Sequence, residues 1–122
     1  SGENRNMPIK KEKNLKRFEN PNTESNYTVK FEIPEFTCIC PLTGQPDFAH
    51  FLIEYIPDNV NVELKSLKSY FWYFREIPGF HEAITNEIMT DLHTLLSPRY
   101  IKIIAKWNVR GGIYTTVEIE KK

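Results

Sequence analysis

Residues 100–120 read YIKIIAKWNVRGGIYTTVEIE, and this stretch indicates how the chain folds. Two runs rich in β-branched residues, 100–107 and 113–120, flank the segment 108–112. Such runs favour strands, and the pair Gly111-Gly112 suits the positive φ angles of a tight turn. The stretch therefore predicts an antiparallel β-hairpin.

Helical periodicity precedes the hairpin. From Glu63 the apolar positions recur three or four residues apart until Pro78-Gly79, which predicts one helix, and a second helix follows and ends near Pro98. The positions predicted to face inward are Leu64, Leu67, Phe71 and Phe74 in the first helix, and Ile84, Ile88, Leu92, Leu95 and Leu96 in the second.

Two strands are predicted upstream of the helices. Apolar and polar residues alternate in residues 27–33, which is typical of a strand with one buried face, and residues 48–56 are mostly apolar. Between them lies an irregular segment, 35–46, that is interrupted by Pro41, Gly44 and Pro46. The element order is β-β-α-α-β-β, an α+β fold with two helices on one face of an antiparallel sheet.

The other face of this sheet is expected to carry Tyr55, Trp107 and Tyr114, which favours self-association. A chain of 122 residues fits one domain, which we assign to residues 26–122. Residues 1–25 are rich in Lys, Glu and Asn and predict a polar N-terminal arm, mobile or loosely docked. Residues 1–6, which precede the first methionine, are consistent with an expression remnant.

The charge balance argues against two classes of partner. Sixteen basic and sixteen acidic side chains give a formal net charge of zero, so neither nucleic acid nor an anionic membrane is expected as a partner. No apolar run reaches the roughly 18 residues that a membrane span needs. Cys38 and Cys40 are expected to be free thiols in a reducing compartment, which predicts a cytoplasmic protein.

The irregular segment holds a candidate catalytic pair. A thiolate at Cys40 can attack a polarised carbon, and the carboxyl group of Asp47 can give a proton to the anion that forms. A free cysteine is more often a small buried hydrophobe, so the pair alone leaves both interpretations open. Zinc is a further alternative, with the candidate ligands Cys38, Cys40, His50 and His81.

Two other segments could bind a ligand. Lys65 and Lys68 share one face of the first helix and could hold a phosphate, or form an ordinary solvated face. At the start of the second helix, the Glu82 carboxylate could accept two hydrogen bonds from a guanine-like edge while Phe80 stacks on the ring. Arg110, in the hairpin, could bind a phosphate or project into solvent.

Together these segments resemble the short form of the QueF family, NADPH-dependent nitrile reductases that act on 7-cyano-7-deazaguanine in queuosine biosynthesis, a tRNA modification. The resemblance spans residues 33–120 and rests on segments 40–47, 63–70 and 80–82. It implies the tunnelling fold (T-fold), sites between subunits, a decamer of two pentamers, NADPH as co-substrate and no metal. Ser69 departs from the family motif, which usually has a larger residue there.

The resemblance also implies roles for single residues. Cys40 matches the nucleophile that forms a thioimide with the nitrile, and Asp47 matches the proton donor. The positions that match the substrate site are Val62, Glu63, Leu64, Phe80, His81 and Glu82, and those that match the NADPH site are Lys65, Lys68 and Arg110.

Two other functions remain open. Relatives that transfer ammonia to a nitrile on tRNA use the same thiol chemistry but lack the NADPH motif, which is intact here in residues 63–68. A T-fold protein without a redox role, either a zinc hydrolase or a purine-binding module, is the other alternative.

Overall fold

The computed structural model describes residues 13–122. In chain order these form β1 (Arg17–Glu19), β2 (Val29–Ile39), β3 (Pro46–Ile56), β4 (Val60–Val62), α1 (Leu64–Tyr73), a 3-10 turn (Phe74–Glu76), α2 (His81–Leu96), β5 (Tyr100–Arg110) and β6 (Ile113–Lys121). No helix among them has the length and apolar character that a membrane span requires.

The main sheet is antiparallel, in the order β2-β3-β5-β6, and the two helices cover one of its faces. The β-β-α-α-β-β prediction is confirmed. The hairpin between β5 and β6 turns at Gly111-Gly112, whose φ angles of 56° and 81° are both positive. The side chains that fill the core between sheet and helices include Phe36, Phe51, Ile53, Tyr70, Phe74, Ile88, Leu92, Ile103 and Trp107.

The prediction that Tyr55 and Trp107 lie on the open face of the sheet is wrong. Tyr55 pairs with Ile101 and Trp107 with Ala49, and this register turns both rings toward the helices, where they are buried. Side chains alternate across a strand, so the register fixes the face of every residue in it. Only Tyr114 of the three is exposed, with 78% of its surface accessible.

A β-bulge in β2 explains why the predicted strand was too short. Ile33 pairs with Phe51 and Phe36 with Ala49, so β2 has one extra residue between these pairs. A bulge tolerates Pro34, which cannot donate to the ladder. Before the bulge the odd-numbered residues of β2 face inward, and after it the even-numbered ones do. The strand continues to Ile39, so the irregular segment is limited to residues 40–45.

The inward face predicted for the first helix is partly wrong, whereas that of the second is largely confirmed. Leu64 is 58% exposed, because α1 is rotated to bury Leu67 and Tyr70 and two serines. In α2 only Leu95, which is half-buried, departs from the predicted set.

The part of the predicted arm that the structure describes is docked rather than mobile. β1 pairs antiparallel with β4, and Glu63 N–H donates to Lys16 O at 2.8 Å. Backbone hydrogen bonds need no apolar side chains, so composition did not reveal this strand. Residues 1–12, with the suggested remnant, lie outside the described residues, and the domain boundary at residue 26 stays a prediction.

Candidate active site

Cys40 lies at the base of a tight loop between β2 and β3. Its N–H donates to Gln45 O at 2.8 Å, and Gly44 N–H donates to Cys40 O at 2.9 Å. Gly44 has a φ of 72°, in the left-handed region that glycine adopts without strain. The loop therefore closes on itself and leaves the Cys40 thiol only partly buried.

Local hydrogen bonds favour the thiolate of Cys40. The Thr43 hydroxyl, followed by the backbone N–H groups of Thr43 and Leu42, lowers the pKa of the thiol by donating to the sulfur. Desolvation and the charge of Asp47 act in the opposite direction but are weaker. Gln45 N–H donates to Thr43 Oγ1 at 3.1 Å, which leaves the hydroxyl proton for Cys40.

Cys38 has the opposite character. It is fully buried on the core side of β2, and burial, with a smaller effect from Asp47, raises the pKa of its thiol to about 12. A thiolate is the reactive form of cysteine. Of the two cysteines, only Cys40 is therefore suited to nucleophilic attack at neutral pH.

Asp47 lies between the guanidinium of Arg110 and the imidazole of His81. Its side chain is 5% exposed and pairs through Oδ1 with the Arg110 guanidinium. Its other oxygen, Oδ2, is 3.5 Å from His81 Nε2. In the strand register Asp47 is opposite Cys38, two residues before Cys40, so the carboxyl group and the Cys40 loop share one end of the sheet.

His81 begins α2, and the segment before it is tied to the end of β2. Ile39 N–H donates to Ile77 O at 3.0 Å, and Gly79 N–H donates to Ile39 O at 3.1 Å. The imidazole stacks on the Trp107 indole, with ring centroids 4.2 Å apart and an interplanar angle of 4°. Phe80 and Glu82 flank His81 and are both exposed.

A second group of predicted residues surrounds the start of α1. Glu63 caps the helix by accepting from Lys65 N–H at 2.7 Å and from Ser66 N–H at 2.9 Å, and these bonds lower the pKa of its carboxyl group. Val62 is buried, whereas Leu64 and Lys65 are exposed. Lys68 lines a groove of about 470 Å³ between β2 and α1, and Arg75 lines the same groove.

The two groups do not meet within the described part of the chain. Among residues 13–122, no hydrogen bond, ion pair or ring contact joins residues 62–68 to Cys40, Asp47 or His81. Arg110, predicted at the cofactor, instead contacts Asp47 and donates to Pro46 O at 2.9 Å. Its role at a cofactor phosphate stays a prediction.

The zinc alternative gains no support from the geometry. His50 lies on the open face of the sheet, where its Nε2 is 2.8 Å from Glu32 Oε1. Among the described residues, no group of three or more His, Cys, Asp or Glu side chains is arranged to hold a metal ion.

Known proteins similar to this chain place it in a family. The family model described as QueF-like protein matches residues 46–122. The chain belongs to this family. A relative from Acidithiobacillus ferrooxidans, named NADPH-dependent 7-cyano-7-deazaguanine reductase, is 56% identical over 116 residues, which are 95% of this chain and 82% of the relative. The match to the QueF-like family model begins after Cys40. The match to the Acidithiobacillus ferrooxidans relative covers 95% of this chain, so it includes Cys40.

Two further matches extend the comparison. A relative of the same name from Halorhodospira halophila is 59% identical over 114 residues, 93% of this chain and 97% of the relative. The crystal structure of an archaeosine synthase QueF-Like in the apo form superposes with a TM-score of 0.72, covering 80% of this chain and 95% of that one. At 21% identity this likeness shows the fold alone, and it agrees with the T-fold.

Sequence reasoning missed three side chains near these groups. Thr43 contacts Cys40 through its hydroxyl, Trp107 stacks on His81, and Arg75 lines the groove of Lys68. The alternation of Ile101, Ile103 and Ala105 in β5 would have turned Trp107 inward. No comparable pattern pointed to Thr43 or Arg75.

Proposed function

We propose that this protein is an NADPH-dependent 7-cyano-7-deazaguanine reductase that converts the nitrile to an aminomethyl group in queuosine biosynthesis, in the cytoplasm. The observation that carries the proposal is the pairing of an activated thiol with a buried carboxyl group at one end of the sheet. Membership of the QueF family and relatives at 56% and 59% identity support it.

Cys40 is the nucleophile in this proposal. Its thiolate, stabilised by Thr43 and Leu42, adds to the nitrile carbon, so that an S–C bond forms and one π bond of the nitrile breaks. The electron pair of that π bond moves to the nitrogen, which takes a proton. The product of this step is a thioimide on Cys40, which accepts a hydride more readily than the nitrile does.

Asp47 and His81 supply the proton to the nitrogen. Asp47 Oδ2 and His81 Nε2 are 3.5 Å apart, longer than a proton transfer allows, and we expect the bound substrate to bring its nitrogen within hydrogen-bond reach of both. Oδ1 of Asp47 pairs with Arg110, so Oδ2 is the oxygen that remains for the substrate. Asp47 is buried, which strengthens each of these interactions relative to water.

The substrate ring is held by exposed groups beside His81. We assign Glu82, which is exposed, to accept two hydrogen bonds from the guanine-like edge, and the exposed ring of Phe80 to stack on the base. Val62, Glu63 and Leu64 are proposed to line the same ring pocket. The Glu63 carboxylate already accepts two backbone hydrogen bonds, so we assign the pocket to the backbone of this segment.

We assign NADPH to the groove between β2 and α1. The groove combines apolar walls with the cationic groups of Lys68 and Arg75, and Glu32 and Glu35 line it as well. Lys65 is exposed on the same helix. Lysines bind phosphate groups as point charges. We assign Lys65 and Lys68 to the cofactor phosphates. NADPH supplies the hydride, and two molecules are needed for the complete reduction to the amine.

Assembly of several copies would complete the site. Residues 62–68 and the Cys40 loop do not meet within the described part of one chain, residues 13–122. β2 and β6 are edge strands with unpaired outer sides in the described sheet. Edge strands of two copies can extend one sheet across a subunit interface. We propose a homo-oligomer, the decamer of two pentamers, with a small-molecule substrate and without nucleic acid as a partner.

Intact mass spectrometry of the protein with the nitrile alone tests the first step. Wild type should gain the mass of one substrate per chain, and Cys40→Ala should gain none. Addition of NADPH under reducing conditions should remove the adduct and consume two NADPH per substrate. The proposal would be wrong if the wild-type protein formed no adduct and consumed no NADPH. Full activity of Cys40→Ala would also contradict it.

A further inference from the structure

The indole of Trp107 is fixed in place by its neighbours. It is 2% exposed and makes edge contacts with two core rings, Phe36 at 5.8 Å and Phe51 at 5.9 Å between centroids. Its indole N–H is buried and has no acceptor among the described residues. Ring packing, rather than a hydrogen bond, therefore sets the orientation of the indole.

The His81 imidazole lies flat on one face of this fixed ring. The two rings are 4.2 Å apart at their centroids and 4° from parallel, so the imidazole can slide but cannot tilt without losing the stack. In this plane its Nε2 points to Asp47 Oδ2 at 3.5 Å. His81 is the first residue of α2. The N–H groups of the first helical turn have no partner within the helix, so backbone hydrogen bonds of the helix restrain His81 only through its C=O.

We propose that Trp107 is a positioning residue for the reaction: its indole holds the His81 imidazole in the plane that presents Nε2 to Asp47. This inference rests on the proposed function. It assigns a role to a core residue that contacts neither substrate nor cofactor. A displacement of about 1 Å at a catalytic group can cost about a hundredfold in rate, so loss of the stack should be measurable.

Two substitutions of Trp107 separate positioning from bulk packing. Trp107→Phe keeps an aromatic surface under His81 and removes the unpartnered N–H, so it should retain kcat within about threefold. Trp107→Leu fills part of the volume without a ring, and its kcat should fall by about tenfold or more while KM for NADPH stays unchanged. Phe74→Leu is the matched core control, because Phe74 is buried and its ring contacts are with Phe36, Tyr70 and Tyr73 rather than with Trp107 or His81.

A double-mutant cycle tests whether Trp107 acts through His81. In a His81→Ala background, Trp107→Leu should lower kcat no further, because there is no imidazole left to orient. An undiminished loss in that background would overturn the proposal, as would a Trp107→Leu variant with wild-type kcat or a Trp107→Phe variant as slow as Trp107→Leu. If wild type itself consumes no NADPH, the proposed function fails instead.

Fluorescence tests the stack without relying on activity or on the folding of Trp107→Leu. The chain has two tryptophans, so Trp72→Phe leaves Trp107 as the only emitter. Contact with an imidazole changes the emission of an indole, so Trp72→Phe and Trp72→Phe/His81→Ala should differ in emission intensity at the same pH. Identical emission from the two proteins would contradict the inferred stack.

Discussion

Arg110 and Asp47 form an ion pair that joins the end of β5 to the start of β3. The guanidinium Nη2 donates to Asp47 Oδ1 and also to Pro46 O at 2.9 Å. A β-bulge between Trp107 and Arg110 shifts the register of β5 relative to β6, and Arg110 directly follows this bulge. Bulges re-aim side chains, and here the arginine is directed to the buried carboxyl group of the neighbouring strand.

Loss of the Arg110 guanidinium should destabilise the protein through Asp47. Arg110→Ala leaves the buried carboxyl group of Asp47 without its cationic partner. We expect the free energy of unfolding to fall by about 1–3 kcal/mol, below the cost for a fully buried pair because Arg110 is half-exposed. Denaturant unfolding measures the change.

The matched variants for this pair are Asp47→Asn and the double substitution Arg110→Ala/Asp47→Asn. If the ion pair is the cause, the double variant should lose about 1 kcal/mol less than the two single losses together. Lys106→Ala, an exposed lysine on the same strand, should change stability by less than about 0.5 kcal/mol. Strictly additive losses would mean that the two side chains act independently.

The Cys40 thiol should react at lower pH than an ordinary cysteine, and Thr43 should be responsible. The Thr43 hydroxyl stabilises the thiolate and lowers the pKa from the usual 9.0, so Thr43→Val should raise the midpoint of alkylation and Thr43→Ser should preserve it. The rate of iodoacetamide modification against pH, followed by intact mass, measures the midpoint. Equal midpoints in wild type and Thr43→Val would contradict this assignment.

Cys38 provides the internal control for that experiment. Burial raises the pKa of its thiol to about 12, so at any pH up to 9 the folded protein should take up one alkyl group per chain. Cys40→Ala should take up none. A second alkyl group on the native wild-type protein would show that Cys38 is accessible.

The sequence was sufficient for the elements whose residues have a regular period. Alternation in residues 27–33 of β2, the β-branched run of β5, helical spacing in α2 and the glycine turn of the hairpin each depend on neighbours close in the chain. Asp47 and Arg110 are 63 residues apart, and their contact requires the β3-β5 register and a bulge together. No local pattern specifies such a pair.

The errors have the same physical origin. The predicted first strand ended at residue 33, just before Pro34. A bulge accommodates this proline, and after the bulge the side chains that face inward are those at even-numbered positions. β1 and β4 pair with each other through backbone hydrogen bonds, and each has only three residues, too few to show a hydrophobic period. The grouping of Cys40, Asp47 and His81 was predicted by resemblance to a family, not by spacing.

Lys65 and Lys68 should affect cofactor binding without affecting the first chemical step. Lys65→Ala/Lys68→Ala removes two cations from the start of α1 and should raise KM for NADPH by about tenfold or more. Adduct formation on Cys40 requires no cofactor and should be unchanged in intact mass. Lys30→Ala, an exposed lysine on β2, is the matched control. A variant that loses both adduct and cofactor binding would point to a general loss of structure.

Gly79 should be intolerant of any side chain, because the segment before α2 packs directly on that helix. A Cβ at Gly79 would lie 2.5 Å from Ile84 Cδ1 and 2.7 Å from Ile84 Cγ1, and Ile84 is buried. Gly79→Ala should therefore displace the first turn of α2, which carries His81, lower the free energy of unfolding by about 1–3 kcal/mol and reduce kcat. In an Ile84→Ala background the clash is gone, so the added alanine should cost less in both measurements. If Gly79→Ala is equally harmful in both backgrounds, contact with Ile84 is not what excludes a side chain here.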